Sequence, residues 1–180
     1  MAKRIVAFAL VLVLASYAAF AAPLTSDQKA KVENQLKRFE ALGGDQFVVA
    51  AVKGYNAKPP AEGKGMTQPK WKGLSVLSNE VKFFTRNALA EYLKTKRTEA
   101  VAECFVSLAD GTKAAFFSKT TSWSHKGSAK HDAPMKGQTW IGQSEMDEST
   151  GKVLVQISFP VLDAKKPIGS VVLGLDLSKL

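Results

Sequence analysis

Apolar and polar positions divide this chain into two halves of different period. From Val101 to Asp176 the alternation is that of strands. Val101–Leu108 is apolar and β-rich, and Lys113–Ser118 returns after Ala109-Asp110-Gly111-Thr112. Asp-Gly is a strong hairpin signal, since both central residues of a type I′ turn need positive φ. Gln138–Met146 forms a third run and Lys152–Pro160 a fourth, joined through Asp147-Glu-Ser-Thr-Gly151. Ile168–Asp176 is the fifth, after a turn at Asp163–Pro167. In the fourth run Val153, Val155, Ile157 and Phe159 share one side, and Leu154, Gln156 and Ser158 share the other. The pattern predicts five antiparallel strands with one continuous apolar face and one mixed face. Two readings of the mixed face stand. It is open to solvent, or it is the floor of a pocket roofed by the aperiodic stretch 119–136.

Before the sheet the period is helical. Thr25 and Gln28 have capping-box spacing, and Val32, Leu36, Phe39 and Leu42 follow as a stripe that ends at Gly43-Gly44. Asp45–Ala57 predicts a second helix. Lys58–Lys70 holds Pro59, Pro60, Gly63, Gly65 and Pro69 and predicts a surface loop. Trp71–Lys96 predicts helix broken near Ser78, with Val81, Phe84, Ala88 and Tyr92 on one face. The fold class is therefore α+β, a long N-terminal helix and short helices packed on a five-stranded antiparallel sheet.

Lys3-Arg4, the apolar run Ile5–Leu14 and Ala19-x-Ala21 have the order of a secretory leader. A membrane-spanning helix needs ~20 apolar residues, about twice the length of this run. Residues 1–21 are read as a cleaved signal peptide and 22–180 as one domain, with a periplasmic or secreted location in a bacterial host. No membrane span is expected after cleavage. Removing Lys3 and Arg4 from 25 basic residues against 16 acidic ones leaves a net charge of +7. The lysines are scattered and no nucleic-acid motif accompanies them, so a basic solvated surface is expected and nucleic acid is not.

Cys104 is the single cysteine. It stands in an apolar strand and reads as a buried, inert thiol. His125 and His131 have only Asp132 beside them as a further ligand type, which is too little for a metal site. No metal or cofactor is expected. Ser122, His125 and Asp132 contain the residue types of a hydrolytic triad, but no nucleophile elbow, phosphate loop or close carboxylate pair supports catalysis. The chain is read as a non-enzyme.

Three stretches give the chain a family likeness: Glu103–Gly111, Lys119-Thr-Thr-Ser-Trp123, and Asp147-Glu-Ser-Thr150 continuing through Val155–Val161 to Pro167-Ile-Gly169 and Val171–Leu177. In these the chain resembles the periplasmic PAS-like (PDC) sensor domains of the Cache superfamily, over about 100–180. The helices match only in order and length. The resemblance implies that a small ligand binds between the sheet and the loop after the second strand, and that bound ligand biases the long helix. It implies signal transduction through a separate partner, a membrane receptor or kinase, because the last strand leads directly to Leu180. It also allows a homodimer through the N-terminal helix.

The loop departs from the family pattern. Thr121–His131 lacks the acidic pair that suits an amine and carries His125, Lys126, Lys130 and His131 instead. Such donors suit a carboxylate or other anion. A different ligand, and a loop that has lost its ligand, stay open beside that reading. The candidate ligand-binding residues are Trp123, Ser124, His125, Lys126, Trp140, Asp147, Gln156 and Ser158. Trp123 and Trp140 are expected as aromatic walls, Trp140 facing with Gly142 and Ser144; the competing role of each is core packing. Asp147 is either a pocket acid or a turn-stabilising residue. The rival function is a ligand-free structural, adhesive or protein-interaction module.

Overall fold

The computed structural model describes residues 23–147 and 152–180. The proposed leader, and residues 148–151 of the third family-like stretch, lie outside the described residues.

Helix α1 (Ser26–Phe39) begins on the expected capping box. Thr25 N donates to Gln28 Oε1 at 3.0 Å, and Gln28 N donates to Thr25 Oγ1 at 3.3 Å. Val32, Leu36 and Phe39 are its buried stripe. A 3₁₀ turn (Glu40–Gly44) leads to α2 (Gln46–Ala57), whose first N–H groups at Phe47 and Val48 donate to Asp45 Oδ1. The other oxygen of Asp45 accepts from the Tyr92 hydroxyl at 2.6 Å and ties α2 to the segment before the sheet.

The region 58–96 is more broken than its composition predicts. The expected surface loop contains a 3₁₀ turn (Ala61–Gly63), the buried Met66 and the start of α3 (Gln68–Gly73). Helix α4 (Asn79–Arg86) stops at Asn87, and α5 (Ala88–Thr95) starts there. Asn87 Oδ1 accepts from Ala90 N at 2.9 Å, and Nδ2 donates to the Ala114 carbonyl at 2.8 Å. The cap resets the helix phase. The expected stripe Val81-Phe84-Ala88-Tyr92 therefore ends at Phe84, Ala88 is exposed, and Leu89, Ala90 and Leu93 carry the burial instead.

Strands β1 (Val101–Leu108), β2 (Lys113–Phe116), β3 (Trp140–Asp147), β4 (Lys152–Asp163) and β5 (Lys166–Asp176) form one sheet in the order β2-β1-β5-β4-β3, all antiparallel. Its first face packs Cys104, Val106, Val155, Ile157, Phe159, Val171, Leu173 and Leu175 against α1, α2 and α5. Burial contributes roughly 1.5–3 kcal/mol for each large aliphatic or aromatic side chain. Cys104 is buried in this layer, and burial pushes its thiol pKa up, as suits an inert thiol. The second face carries Phe105, Phe116 and Val172, which form a smaller core with Met66, Trp71, Val81, Phe84 and Trp123. Here α3, α4 and the stretch after β2 form the cover. That stretch, aperiodic in sequence, includes the short helix α6 (Ala129–Asp132) and a 3₁₀ turn (Pro134–Lys136).

Two details of register depart from expectation. The β1–β2 turn is not type I′: only Gly111 has positive φ, at 84°. Gly111 N donates to the Leu108 carbonyl, and Asp110 Oδ1 accepts from Thr112 N and Oγ1. That is the three-residue hairpin loop with glycine in the left-handed position. Both positive φ values fall instead in the two-residue β4–β5 turn, at Ala164 (47°) and Lys165 (69°). Second, β3 bulges between Ile141 and Ser144. Trp140 stands beside Ser158 on the second face, while Ser144 pairs with Val155 on the first. The expected common face of Trp140 and Ser144 is broken by the extra residue.

The Ala164-Lys165 turn holds two side-chain-bearing residues in left-handed backbone, at roughly 1–2 kcal/mol each. Replacing the pair with Asn-Gly should raise stability by about 1–2 kcal/mol and Tm by about 2–8 °C. Calorimetric melting of the double variant checks this. An unchanged or lower Tm would show that the turn carries no such strain.

Candidate functional site: a basic cluster beneath the roof of the second face

The roof is held from α3. Trp71 Nε1 donates to the Thr120 carbonyl at 2.7 Å. The Gln68 side-chain amide spans the next residues, with Nε2 donating to Thr121 O (3.0 Å) and Oε1 accepting from Trp123 N (2.8 Å). Trp123 is 6% exposed and packs on Trp71 and Phe84, each with ring centroids at 5.1 Å. Its indole edge rests on the backbone of Gly63. The structure thus places Trp123 in the packed aromatic cluster, where it seats the loop. Ser124 bridges to Thr112, and its hydroxyl accepts from Lys126 N. Gly111 makes this approach possible: a Cβ there would lie 2.5 Å from Lys126 N. His125 N donates to the Gly111 carbonyl at 2.9 Å, so the glycine turn sets the imidazole in place.

The chemistry gathers around Lys113, which the sequence reading did not single out. Lys113 is 1% exposed. It pairs with Ser107 in the β1–β2 register and so points to the second face. Its Nζ lies 3.9 Å over the Phe105 ring centroid, reaches Ser107 Oγ at 3.4 Å, and meets His125 Nδ1. With Lys113 donating, His125 accepts at Nδ1 and carries its own proton on Nε2. The His125 ring stacks on Phe105 at 4.7 Å. Burial first, then Lys113 and Lys130, push the His125 pKa down to about 3. Lys113 is lowered well below its ordinary value, again by burial first. Among the described residues no carboxylate lies within ion-pair distance of Lys113 or Lys130.

Next to this pair lies a polar chain across three strands. Lys130 Nζ donates to Gln156 Oε1, and Gln156 Nε2 donates to Glu103 Oε2 at 2.9 Å. Glu103 and Gln156 sit on β1 and β4, with Gly174 of β5 between them. A Cβ on Gly174 would come within 2.9 Å of Glu103 Cβ, so only the glycine lets the carboxylate cross the strand. His131 is a staple for the roof: Nδ1 meets Ser170 Oγ at 2.8 Å, and the ring also hydrogen-bonds the Ala109 backbone. Ser158 is fully buried beside Trp140, and its hydroxyl is without a hydrogen-bond partner among the described residues.

Of the sequence candidates, His125, Trp140, Gln156 and Ser158 thus belong to one face, and Trp123 and Ser124 hold the loop above it. Lys126 is exposed, with its backbone against Gly111. The Asp147 side chain lies outside the described residues. Sequence reasoning missed Lys113 and Glu103. Glu103 carries a signal, a charged residue within an apolar strand on the parity of Phe105, whereas Lys113 opens β2 and has none until its partners are in place. Two open clefts, of about 480 and 400 Å³, lie elsewhere, at Arg38–Asp45 with Thr95–Thr98 and at Tyr55–Pro59 with Leu108–Asp110. Neither gathers these residues. No group of three or more His, Cys, Asp or Glu side chains able to hold a metal occurs among the described residues. No helix among them is long and apolar enough to cross a membrane.

A long first helix, short helices and a five-stranded antiparallel sheet of order β2-β1-β5-β4-β3, with one roofed polar face, make the fold α+β and PAS-like. No protein-family model matches the chain, and no curated protein matches it in sequence. Among solved structures it is similar to the sensor domain of the Vibrio cholerae histidine kinase DctB: 17% identity over 83% of this chain and 56% of that one, TM-score 0.41. The ligand-binding domain of the Pseudomonas aeruginosa amino acid chemoreceptor PctC, in complex with GABA, gives 15% identity, 82% and 62% coverage, and TM-score 0.37. The sensory domain of the Campylobacter jejuni chemoreceptor Tlp3, with isoleucine bound, gives 14%, 83%, 61% and 0.37. The chain spans 56–62% of the length of these three domains.

Two outcomes follow from this layer. Trp123→Ala should cost ~3–5 kcal/mol in unfolding free energy, the range for truncating a packed aromatic. A urea-derived loss below ~1 kcal/mol would place the indole outside the packed cluster. The depressed His125 acts on pH dependence. Between about pH 6.5 and 3 the unfolded chain takes up a proton at His125 that the folded chain does not, so this contribution to stability falls as pH drops. His125→Gln keeps an acceptor for Lys113 and removes the titration. Its urea midpoint should therefore fall less than that of the wild type from pH 7 to pH 5; equal losses would sink the assignment.

Proposed function

We propose that this chain is a small-ligand-binding, sensor-like domain whose ligand is a small carboxylate or other anion, held beneath the roof of the second face. The observation that carries this reading is the excess of buried basic groups over acids. Lys113, His125, Lys130 and His131 converge on one face, where Glu103 is the carboxylate bonded into the network. A cation taken out of water without a counter-charge is costly, and a bound anion supplies one. An anion would also favour the protonated forms of Lys113 and His125. Binding is therefore accompanied by proton uptake and strengthens as pH falls.

In this reading Lys113, His125 and Lys130 meet the ligand's charge. Trp140 forms a wall, and Gln156 and the Ser158 hydroxyl supply hydrogen bonds. Trp123 and Ser124 position the loop, and Asp147 stays a candidate at the end of β3. The site lies between sheet and loop, where the family resemblance implies it. The domain acts outside the cytoplasm after leader removal, without catalysis of its own, and passes its state to a separate partner such as a membrane receptor or kinase. A homodimer through α1 belongs to the same proposal.

The test is a thermal-shift series with small mono- and dicarboxylates, amino acids and amines. A specific ligand at 100 times its Kd adds ~2.7 kcal/mol. Lys113→Met keeps an unbranched apolar stem and removes the terminal nitrogen. Its unliganded Tm should equal or exceed that of the wild type, while the carboxylate-induced shift disappears. Retention of the full shift in Lys113→Met would overturn the reading, as would stabilisation by amines alone.

A further inference from the structure

The turn between α3 and α4 presents two adjacent aliphatic side chains to water. Val76 is 64% exposed and Leu77 is 70% exposed. Single exposed aliphatics are ordinary, but an adjacent pair on a fixed turn is not explained by folding. The turn is fixed. Ser75 Oγ accepts from Leu77 N at 3.2 Å, and the Ser75 carbonyl accepts from Ser78 N at 3.1 Å and Ser78 Oγ at 2.8 Å. Leu74, just before it, packs on the aromatic cluster of the second face. The turn is thus anchored at its base and apolar at its tip.

The surroundings are basic. From Lys64 to Arg86 the chain carries Lys64, Lys70, Lys72, Lys82 and Arg86 against Glu80 alone. Lys64, Lys70, Lys72 and Arg86 are exposed, and none of the five cations forms an ion pair among the described residues. Lys119 joins them from the roof loop, with Nζ 3.5 Å from the Lys72 carbonyl.

We propose that the 74–78 turn is an interfacial anchor. Val76 and Leu77 enter the surface of a bilayer that carries anionic headgroups, and the surrounding lysines meet the phosphates. Charge complementarity and shape favour lipid over a protein. Two projecting side chains make a small convex spot, far short of the ~800 Å² per partner of a specific protein interface. A bilayer surface asks only for an apolar tip of shallow depth and a cationic rim. The anchor would lie on the same side of the sheet as the basic cluster, yet it does not depend on any ligand there.

The experiment is co-sedimentation of the exported protein with vesicles of phosphatidylcholine alone or mixed equally with phosphatidylglycerol. The Val76→Ser/Leu77→Ser double variant shares the same N-terminus and isolates the tip; an unchanged melting curve confirms its fold. The wild type should bind mixed vesicles at low salt and bind about tenfold less at ~0.5 M salt, where screening is strong. The double variant should bind at least about tenfold less at low salt. Lys70→Ser/Lys72→Ser should weaken binding to mixed vesicles only. Equal sedimentation of wild type and double variant would overturn the proposal. So would absence of wild-type binding, which would leave a protein partner as the occupant of the tip.

Discussion

Charge desolvation governs what the second layer of this protein can hold. The first face of the sheet is aliphatic, and α1, α2 and α5 close on it as any amphipathic helices would. The second face brings a lysine, two imidazoles and a further lysine under one loop. Burial in such a layer disfavours every charged form, so Lys113 and His125 are both pushed toward neutrality and meet as donor and acceptor. The aromatic rings of Phe105 and Trp140 give that layer area without charge, and Glu103 spans a strand only because Gly174 has no side chain.

The roof works because its attachment and its chemistry are separated along the chain. Residues 120–123 are clamped by Trp71 and Gln68 and sealed by the Trp123–Phe84–Trp71 cluster. Residues 125–131 carry the imidazoles and Lys130. Rigidity in the first segment positions the second. His131, hydrogen-bonded to Ser170 and to the Ala109 backbone, closes the far end.

Much of this was legible in the chain itself. Period-two alternation assigned the faces of β4, because side chains on a strand alternate whatever packs on them. The capping box, the glycine pair and the apolar stripe marked α1, because those signals act within a few residues. The polar parity of Gln156 and Ser158 placed them on the face that the roof covers. What escaped were effects that need a partner distant in sequence. Lys113 reads as one more strand lysine until Ser107 sets its face and His125 arrives from across the loop. Trp123 has the same composition cue as a ligand wall and as a core residue; only Trp71 and Phe84, some 40 to 50 positions earlier, decide its surroundings.

Local physics therefore determined the element order, the two-faced sheet, the burial of Cys104 and the region where polar chemistry gathers. Tertiary structure alone decided the helix break at Asn87, which depends on a carbonyl of β2, and the β3 bulge, which depends on the register with β4. It also placed the strained turn at Ala164-Lys165, where strand twist overrides residue preference, and made Asp110-Gly111 a wider loop against Lys126. The excess of buried basic groups around Lys113 belongs to the same class. Desolvation is a property of the assembled layer, and no single stretch of chain encodes how much water the others will exclude.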